Sequence, residues 1–321
     1  MRLTKNSRIL VLGASGMIGS ACVRWLKLHG YDKIESPSRS ELDLFSMENV
    51  RHYFHSHSPE FIILAAGRVG GIIENSTRGF DLLRDNLIIQ QNVILSAIQS
   101  GVEKCVYFGS SCMYPRQAEQ PMKEDFLLTG KPEETSLPYA ISKLSGVHMC
   151  LSYNKQFGKS LFLPVIPNST YGPQDDFDPK TAHVLSSLLF RFHHARKTNA
   201  SEVTLWGSGN PRREFIFSED VASAVFYLLE NAPATDMPLN IGSGKDYSIR
   251  ELAEAIKDIT GFRGSIKWDT SKPDGAPRKL LDSSRINALG WKPVTSLKNG
   301  IQKTYDWFLE NELPIQKGSS S

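Results

Sequence analysis

Long apolar runs are missing from this chain. A membrane-spanning helix needs about 20 consecutive apolar residues, and no stretch of the 321 approaches that. The N-terminus also lacks the basic-then-apolar pattern of a secretory leader. The expectation is a soluble, cytoplasmic protein with no membrane partner. An excess of one charge is missing too: 37 Lys and Arg stand against 34 Asp and Glu, a net +3. That balance gives no electrostatic footprint for nucleic acid. The densest basic cluster, "RFHHARK" (191–197), reads first as a solvated helix face. Cysteine is scarce. The spacings of Cys22, Cys105, Cys112 and Cys150 match neither a zinc motif nor a disulfide framework, so no metal is expected. Cys22 and Cys105 lie in apolar periodic segments and read as reduced core residues. There is no internal repeat, and the "KGSSS" end (317–321) reads as a flexible tail.

What the chain does have is alternation. Apolar runs at 8–14, 61–67, 104–111 and 160–172 are separated by helical patterns at 20–30, 86–101 and 138–158. Strands apolar throughout imply a parallel sheet covered on both faces. The fold class is therefore α/β: a Rossmann-type doubly wound parallel sheet with a smaller α/β C-terminal substrate domain. The first domain is expected to take 1–172 plus about 214–240, and the second about 173–213 plus 241–316. A helix over 248–261 is marked by Ser248 and Glu251 at capping-box spacing.

"GASGMIG" supplies Gly13, Ala14, Ser15, Gly16, Met17, Ile18 and Gly19 between a strand and a helix. Its first Gly permits a tight turn, its second lets backbone approach a diphosphate, and its third lets helix and strand pack. The unpaired N–H groups of the helix N-terminus then face the anion. Near the end of the second strand stand Glu35 and Arg39. A carboxylate there would take a ribose 2′-hydroxyl and a guanidinium a 2′-phosphate. Arg39 favours NADP(H) over NAD. Asp43, with Leu44 beside it, is an adenine-side candidate.

Tyr139 and Lys143 are one helical turn apart and share a face. A tyrosine can protonate a carbonyl oxygen if its pKa is drawn down, and an adjacent ammonium together with an oxidised nicotinamide would do so. Ser110, in "GSSCMYP" (109–115), is placed at a strand end to hold the same oxygen.

In this order the motifs resemble the extended short-chain dehydrogenase/reductase family. "AAGRVGGI", "GSSCMYP", "YAISK", "YGPQDDF", "WGSGNPRREF" and "SKPDGAPRKLLD" narrow the resemblance to its GDP-4-keto-6-deoxy-D-mannose epimerase/reductases. The resemblance implies inversion at C3 and C5 through enolates, then NADPH-dependent reduction at C4 to GDP-L-fucose, in a homodimer. It implies Cys112 and His183 as the proton-transfer pair, beside Tyr139, Lys143 and Ser110. Phe108, Gly109, Ser111, Lys143, Pro167, Asn168, Ser169, Thr170 and His183 would line the cofactor. Arg191, Trp206, Arg213 and Asp274 would hold the GDP-sugar, and the helices at 86–101 and 138–158 would form the dimer face. The loop "PNST" (167–170) departs from the family wording, and so do three further residues, Arg68, Asp178 and Lys180. These three could turn the pocket toward a related GDP-4-keto sugar such as a heptose, reduced at C4 with partial or no epimerisation. A 4,6-dehydratase would need an Asp-Glu pair where Ser111-Cys112 stands. A 4-epimerase would have no use for Cys112 or His183. A non-catalytic binding protein would be free to lose Tyr139 or Lys143.

Overall fold

Ile9–Leu12 is buried at every residue, as a central strand of a doubly covered sheet must be. In the computed structural model, residues 3–179, 181–231, 235–272 and 274–311 are described. Lys180, the expected end of the second domain at 316 and the tail lie outside them. In chain order the elements are β1 (Ile9–Leu12), α1 (Met17–Leu28), β2 (Ile34–Glu35), α2 (Met47–His57), β3 (Phe61–Leu64), α3 (Ile72–Thr77), α4 (Gly79–Gln99), β4 (Lys104–Phe108), α5 (Leu137–Phe157), β5 (Phe162–Pro167) and β6 (Ser169–Tyr171). There follow α6 (Val184–Lys197), β7 (Glu202–Trp206), β8 (Arg212–Phe217), α7 (Ser218–Asn231), β9 (Leu239–Ile241), β10 (Asp246–Ser248), α8 (Ile249–Thr260), β11 (Ser265–Asp269), β12 (Arg278–Lys279), α9 (Ser284–Ala288) and α10 (Leu297–Glu310).

Six parallel strands form the main sheet in the order β2-β1-β3-β4-β5-β9. Strand order reverses between β1 and β3, so the crevice at their carboxyl ends is where this topology binds ligands. Alternate residues of the strands feed two cores. Ile9 and Val11 pack with Ala21, Cys22 and Leu26 of α1 and with Val221 and Val225 of α7. Leu10 and Leu12 face the other way, toward Val50 and Phe54 of α2, Val93 of α4, and Val147 and Cys150 of α5.

A third core joins α6, α8 and α10 through Phe192, Leu252, Ile256, Ile301 and Tyr305. Strand β8 connects it to the first. Ile216 enters the first core while Phe215 and Phe217 enter the third. β8 pairs with β10, β12 and β6 in a smaller sheet, and β7 pairs with β11.

Local signals behave as their chemistry requires. Ser248 and Glu251 form the expected capping box, and Gly261 ends α8 in the left-handed region at φ +71°. Two expectations change. The run over 160–172 is interrupted at Asn168, whose buried amide donates to Glu214 at 2.5 Å. The cluster 191–197 is not a solvated face throughout. Phe192 and His193 are buried, and the His193 ring bonds Tyr305 Oη at 2.9 Å.

Candidate active site

The glycine loop is a cradle by exclusion of side chains. Gly13 sits at φ +86°, and a Cβ on it would lie 2.6 Å from Ala66 N, in the loop after β3. A Cβ on Gly19 would overlap the Gly13 carbonyl. Gly16 differs: its Cβ would meet nothing closer than Gly13 O at 3.5 Å, so the space beside it is open. Gly16 caps α1 without a side-chain bond, which leaves first-turn N–H groups for an anion. Ala14 and Ile18 pack on the core, Met17 starts the helix, and Ser15 is exposed. These residues fit the diphosphate of a dinucleotide.

Near the end of β2, Glu35 has a partner 18 residues away. Tyr53 Oη donates to Glu35 Oε2 at 3.0 Å, so that carboxylate is already engaged. Arg39 is exposed in the loop beyond β2, and a guanidinium there suits a phosphate. Asp43 accepts the Phe45 N–H at 2.9 Å, and the Leu44 carbonyl accepts from Asn92 at 2.9 Å. Together these bonds fix the turn that leads into α2.

Next along the crevice, α5 is locked against β4. Tyr107 Oη donates to Gln90 Oε1 at 2.7 Å, and Gln90 Nε2 donates to the Ser142 carbonyl at 3.0 Å. Gly146 leaves room for that phenol, since a Cβ would overlap it. The lock carries Tyr139 and Lys143, both buried, to the strand ends. Burial pulls Lys143 down from 10.5 to about 8. Its Nζ lies 5.2 Å from the Tyr107 ring centroid and 3.4 Å from where a Gly67 Cβ would stand.

The Tyr139 phenol moves opposite to expectation. Burial and the nearby Cys112 push it up, and only the Ser110 hydrogen bond draws it down. Lys143 therefore does not lower it in the protein alone. The phenol holds its proton at neutral pH and can donate it.

Ser110 also caps the short 3-10 turn Ser111–Met113 by accepting the Cys112 N–H at 3.3 Å. Cys112 and Ser111 are half-buried, unlike the other three cysteines, which are fully buried. Phe108 ends β4 and Gly109 follows it, its N–H donating to Val165 O of β5 at 2.8 Å. Pro167, Asn168, Ser169 and Thr170 thus lie one strand over from Ser110. Asn168 turns its side chain away, into Glu214 and the Ser169 N–H.

His183 is the exposed N-cap residue of α6. The 67–71 loop connects its surroundings to the catalytic helix. Gly67 faces Lys143 Nζ at one end, and a Cβ on Gly71 would lie 2.8 Å from Thr181 O at the other. Arg68 in that loop is paired with Asp85 at 2.9 Å and Glu74 at 3.5 Å. Burial works against the Asp85 charge, but Arg68 and Arg84 outweigh it and hold the carboxyl below its usual range.

The four substrate-side candidates converge on one edge. Arg191 donates to Thr204 O, two residues before Trp206. Trp206 is 69% exposed, with Lys272 Nζ 5.8 Å from its ring centroid. Arg213 donates to Ala276 O at 2.7 Å, two residues after Asp274. Asp274 accepts the Ser208 N–H at 2.9 Å and hydroxyl at 2.6 Å, which keep its carboxyl low. Burial lowers both Arg191 and Arg213. Arg278 and Lys279, not singled out from the sequence, line a small cavity with Ser111 and Tyr114. The signal was available: two basic residues inside an already quoted motif.

The model of the NAD dependent epimerase/dehydratase family matches residues 9–242. A GDP-L-fucose synthase of Arabidopsis thaliana is 45% identical over 307 residues, 96% of this chain and 94% of that one. The GDP-L-fucose synthase of Escherichia coli K12 is 43% identical over 315 residues, 96% of this chain and 98% of its own. Among solved structures, a GDP-mannoheptose C4 reductase from Campylobacter jejuni with NADP bound is 35% identical. It superposes with a TM-score of 0.87 over 96% of this chain and 99% of that one.

Proposed function

The chain belongs to the NAD dependent epimerase/dehydratase family, and from that premise we propose that it is an NADP(H)-dependent GDP-L-fucose synthase, inverting C3 and C5 of GDP-4-keto-6-deoxy-D-mannose and reducing C4. The observation that carries this reading is Cys112. It is the one half-buried cysteine, and it stands two residues from Ser110 and beside the Tyr139 phenol. Carbonyl reduction alone has no use for a thiol there.

The division of labour follows from chemistry. C3 and C5 flank the C4 ketone, so their protons are acidic and loss of either gives an enolate. Inversion needs a base on one face and a proton donor on the other. Cys112 supplies a thiol and His183 an imidazole, side chains able to take a proton from a ring carbon and return one. Ser110 and Tyr139 hold the developing O4 anion, and Tyr139 protonates it at the end. Lys143 is positively charged below about pH 8; with an oxidised nicotinamide beside it, the two cations together would stabilise the negative charge left on the phenol.

When bound, NADPH supplies hydride to C4. The 13–19 loop and Arg39 would hold its diphosphate and 2′-phosphate. Arg191, Arg213, Trp206 and Asp274 would hold the GDP portion, with the guanidiniums on phosphate. The same reading takes the chain as a cytoplasmic homodimer joined through α4 and α5, where Phe80 and Ile141 are exposed.

The test is NMR of the product formed with NADPH in deuterated water. GDP-L-fucose labelled at C3 and C5 is expected. A product with C3 and C5 unlabelled and uninverted would make the chain a GDP-sugar C4 reductase. No oxidation of NADPH with any GDP-4-keto sugar would sink the reductase reading.

A further inference from the structure

We infer that Glu214 is a positioning residue for hydride transfer: its buried carboxylate ties the cofactor-side loop at Asn168 to the substrate-side strands, and so sets how the sugar C4 lies against the nicotinamide. The inference rests on the reading of the chain as a reductase of a GDP-4-keto sugar.

No step of the reaction uses Glu214, yet it is fully buried in β8. Its carboxylate is held by N–H groups. Oε2 accepts from the Asn168 side-chain amide at 2.5 Å and from the Leu281 N–H at 2.9 Å. Oε1 accepts the Gly244 N–H at 2.7 Å, and the Ser243 N–H bonds the same carboxyl. A Cβ on Gly242 would lie 2.5 Å from Oε1, so the chain leaving β9 passes directly against it. Burial raises the carboxyl, and these N–H groups pull it back. An ionised carboxylate offers only acceptors, which matches a ring of donors. The isosteric glutamine would set its NH2 against some of them.

The donors come from segments with different tasks. Asn168 stands between β5 and β6, in the loop expected beside the nicotinamide. Its Oδ1 accepts the Ser169 N–H at 3.0 Å, and its own N–H donates to Ile241 O at the end of β9 at 3.2 Å. Ser169 and Thr170 then pair with Phe215 and Ile216, the residues that follow Glu214. The Asn168–Glu214 bond therefore closes the start of that ladder. Leu281 follows Arg278 and Lys279, which line the small cavity with Ser111. Arg213, one residue before Glu214, faces the other side of β8 and donates to Ala276 O at 2.7 Å. One carboxylate thus joins the carboxyl ends of β5 and β9 to the strands that carry the substrate-side cations.

Hydride transfer depends on the fit between two bound molecules, and a misplacement of about 1 Å can cost about a hundredfold. Exchange at C3 and C5 needs the sugar, Cys112 and His183, and no contact with the nicotinamide C4. Loosening Glu214 should slow the first and spare the second. A general loss of folded protein would lower both.

The experiment compares the two rates in the full chain. NADPH oxidation with GDP-4-keto-6-deoxy-mannose gives kcat and KM, and is repeated with NADPH deuterated at the transferred position. Solvent-deuterium wash-in to the same sugar is followed with NADP+ bound, where no hydride is available. Glu214→Gln is expected to lower kcat about tenfold or more, to raise the deuterium isotope effect, and to leave wash-in and the KM for the sugar near wild type. Asn168→Asp combined with Glu214→Gln swaps donor and acceptor across the bond and should recover much of the lost kcat. Asn168→Ala keeps the carboxylate and its backbone bonds; it should show the same split and serves if Glu214→Gln does not fold. Oxidation and wash-in falling together, or neither falling, overturns the proposal. If wild type reduces without wash-in, the isotope effect decides, and an unchanged one overturns the proposal. A wild type that oxidises no NADPH with any GDP-4-keto sugar sinks the reductase reading instead. The emission spectrum of bound NADPH then reads the loop: a shift in Glu214→Gln leaves the placing of the nicotinamide by Glu214 standing, and an unchanged spectrum overturns it.

Discussion

Replacing Lys143 by Met should destroy turnover and yet stabilise the protein at neutral pH. Lys143 is 7% exposed, and burial takes it from 10.5 to about 8. At pH 7 the ammonium is charged both folded and unfolded, so the folded state bears the whole desolvation cost. The interval from 10.5 to about 8, at 1.36 kcal/mol per pH unit, makes that cost roughly 3 kcal/mol. Methionine keeps the length and apolar stem. It loses the contact with the Tyr107 ring at 5.2 Å, an attraction of roughly 1 kcal/mol. The net expectation is a gain of about 2 kcal/mol at pH 7.

The pH dependence supplies the sharper test. Between about 8 and 10.5 the unfolded chain binds the lysine proton and the folded one does not, so wild-type stability rises with pH there. The advantage of Lys143→Met should therefore shrink across that window and stay constant below it. Urea unfolding of protein without added nucleotide, at pH 7 and near pH 10, measures both values. A variant no more stable than wild type at pH 7 would refute the burial cost. A gap equally wide at both pH values would refute its electrostatic origin.

Tyr139→Phe should abolish reduction while nicotinamide fluorescence still reports NADPH binding, because the phenol oxygen is the proton source and not a binding group. Arg39→Ala should raise the KM for NADPH about tenfold or more and leave that for NADH unchanged. An equal effect on both would place the guanidinium elsewhere. Gly19→Ala must push a Cβ into the Gly13 carbonyl. It should cost roughly 1–3 kcal/mol in thermal or urea unfolding and weaken cofactor binding.

Much of the fold was legible because its signals are local. The glycine spacing, the apolar run at 9–12 and the Ser248–Glu251 box each depend on residues within one turn or one strand. The catalytic pair was legible for the same reason, since Tyr139 and Lys143 lie on one face of one helix. Where contacts join distant residues, the pattern was silent or misleading. Glu35 looked available to a ribose until Tyr53 was seen to bond it. The 191–197 cluster looked solvated until Tyr305 was seen to reach His193 across 112 residues. Nothing near Arg68 in the sequence showed that Asp85 and Glu74 would pair with it.

By itself, then, the sequence determined the α/β class and the placing of the glycine loop between a strand and a helix. Periodicity, caps and glycine spacing are short-range and survive without tertiary context. Only the tertiary structure decided the protonation tendencies: Lys143 drawn down, Tyr139 pushed up. It also decided which charges are already spoken for. The physical reason is that desolvation and pairing depend on what surrounds a group in space, and those neighbours come from segments that no local pattern connects.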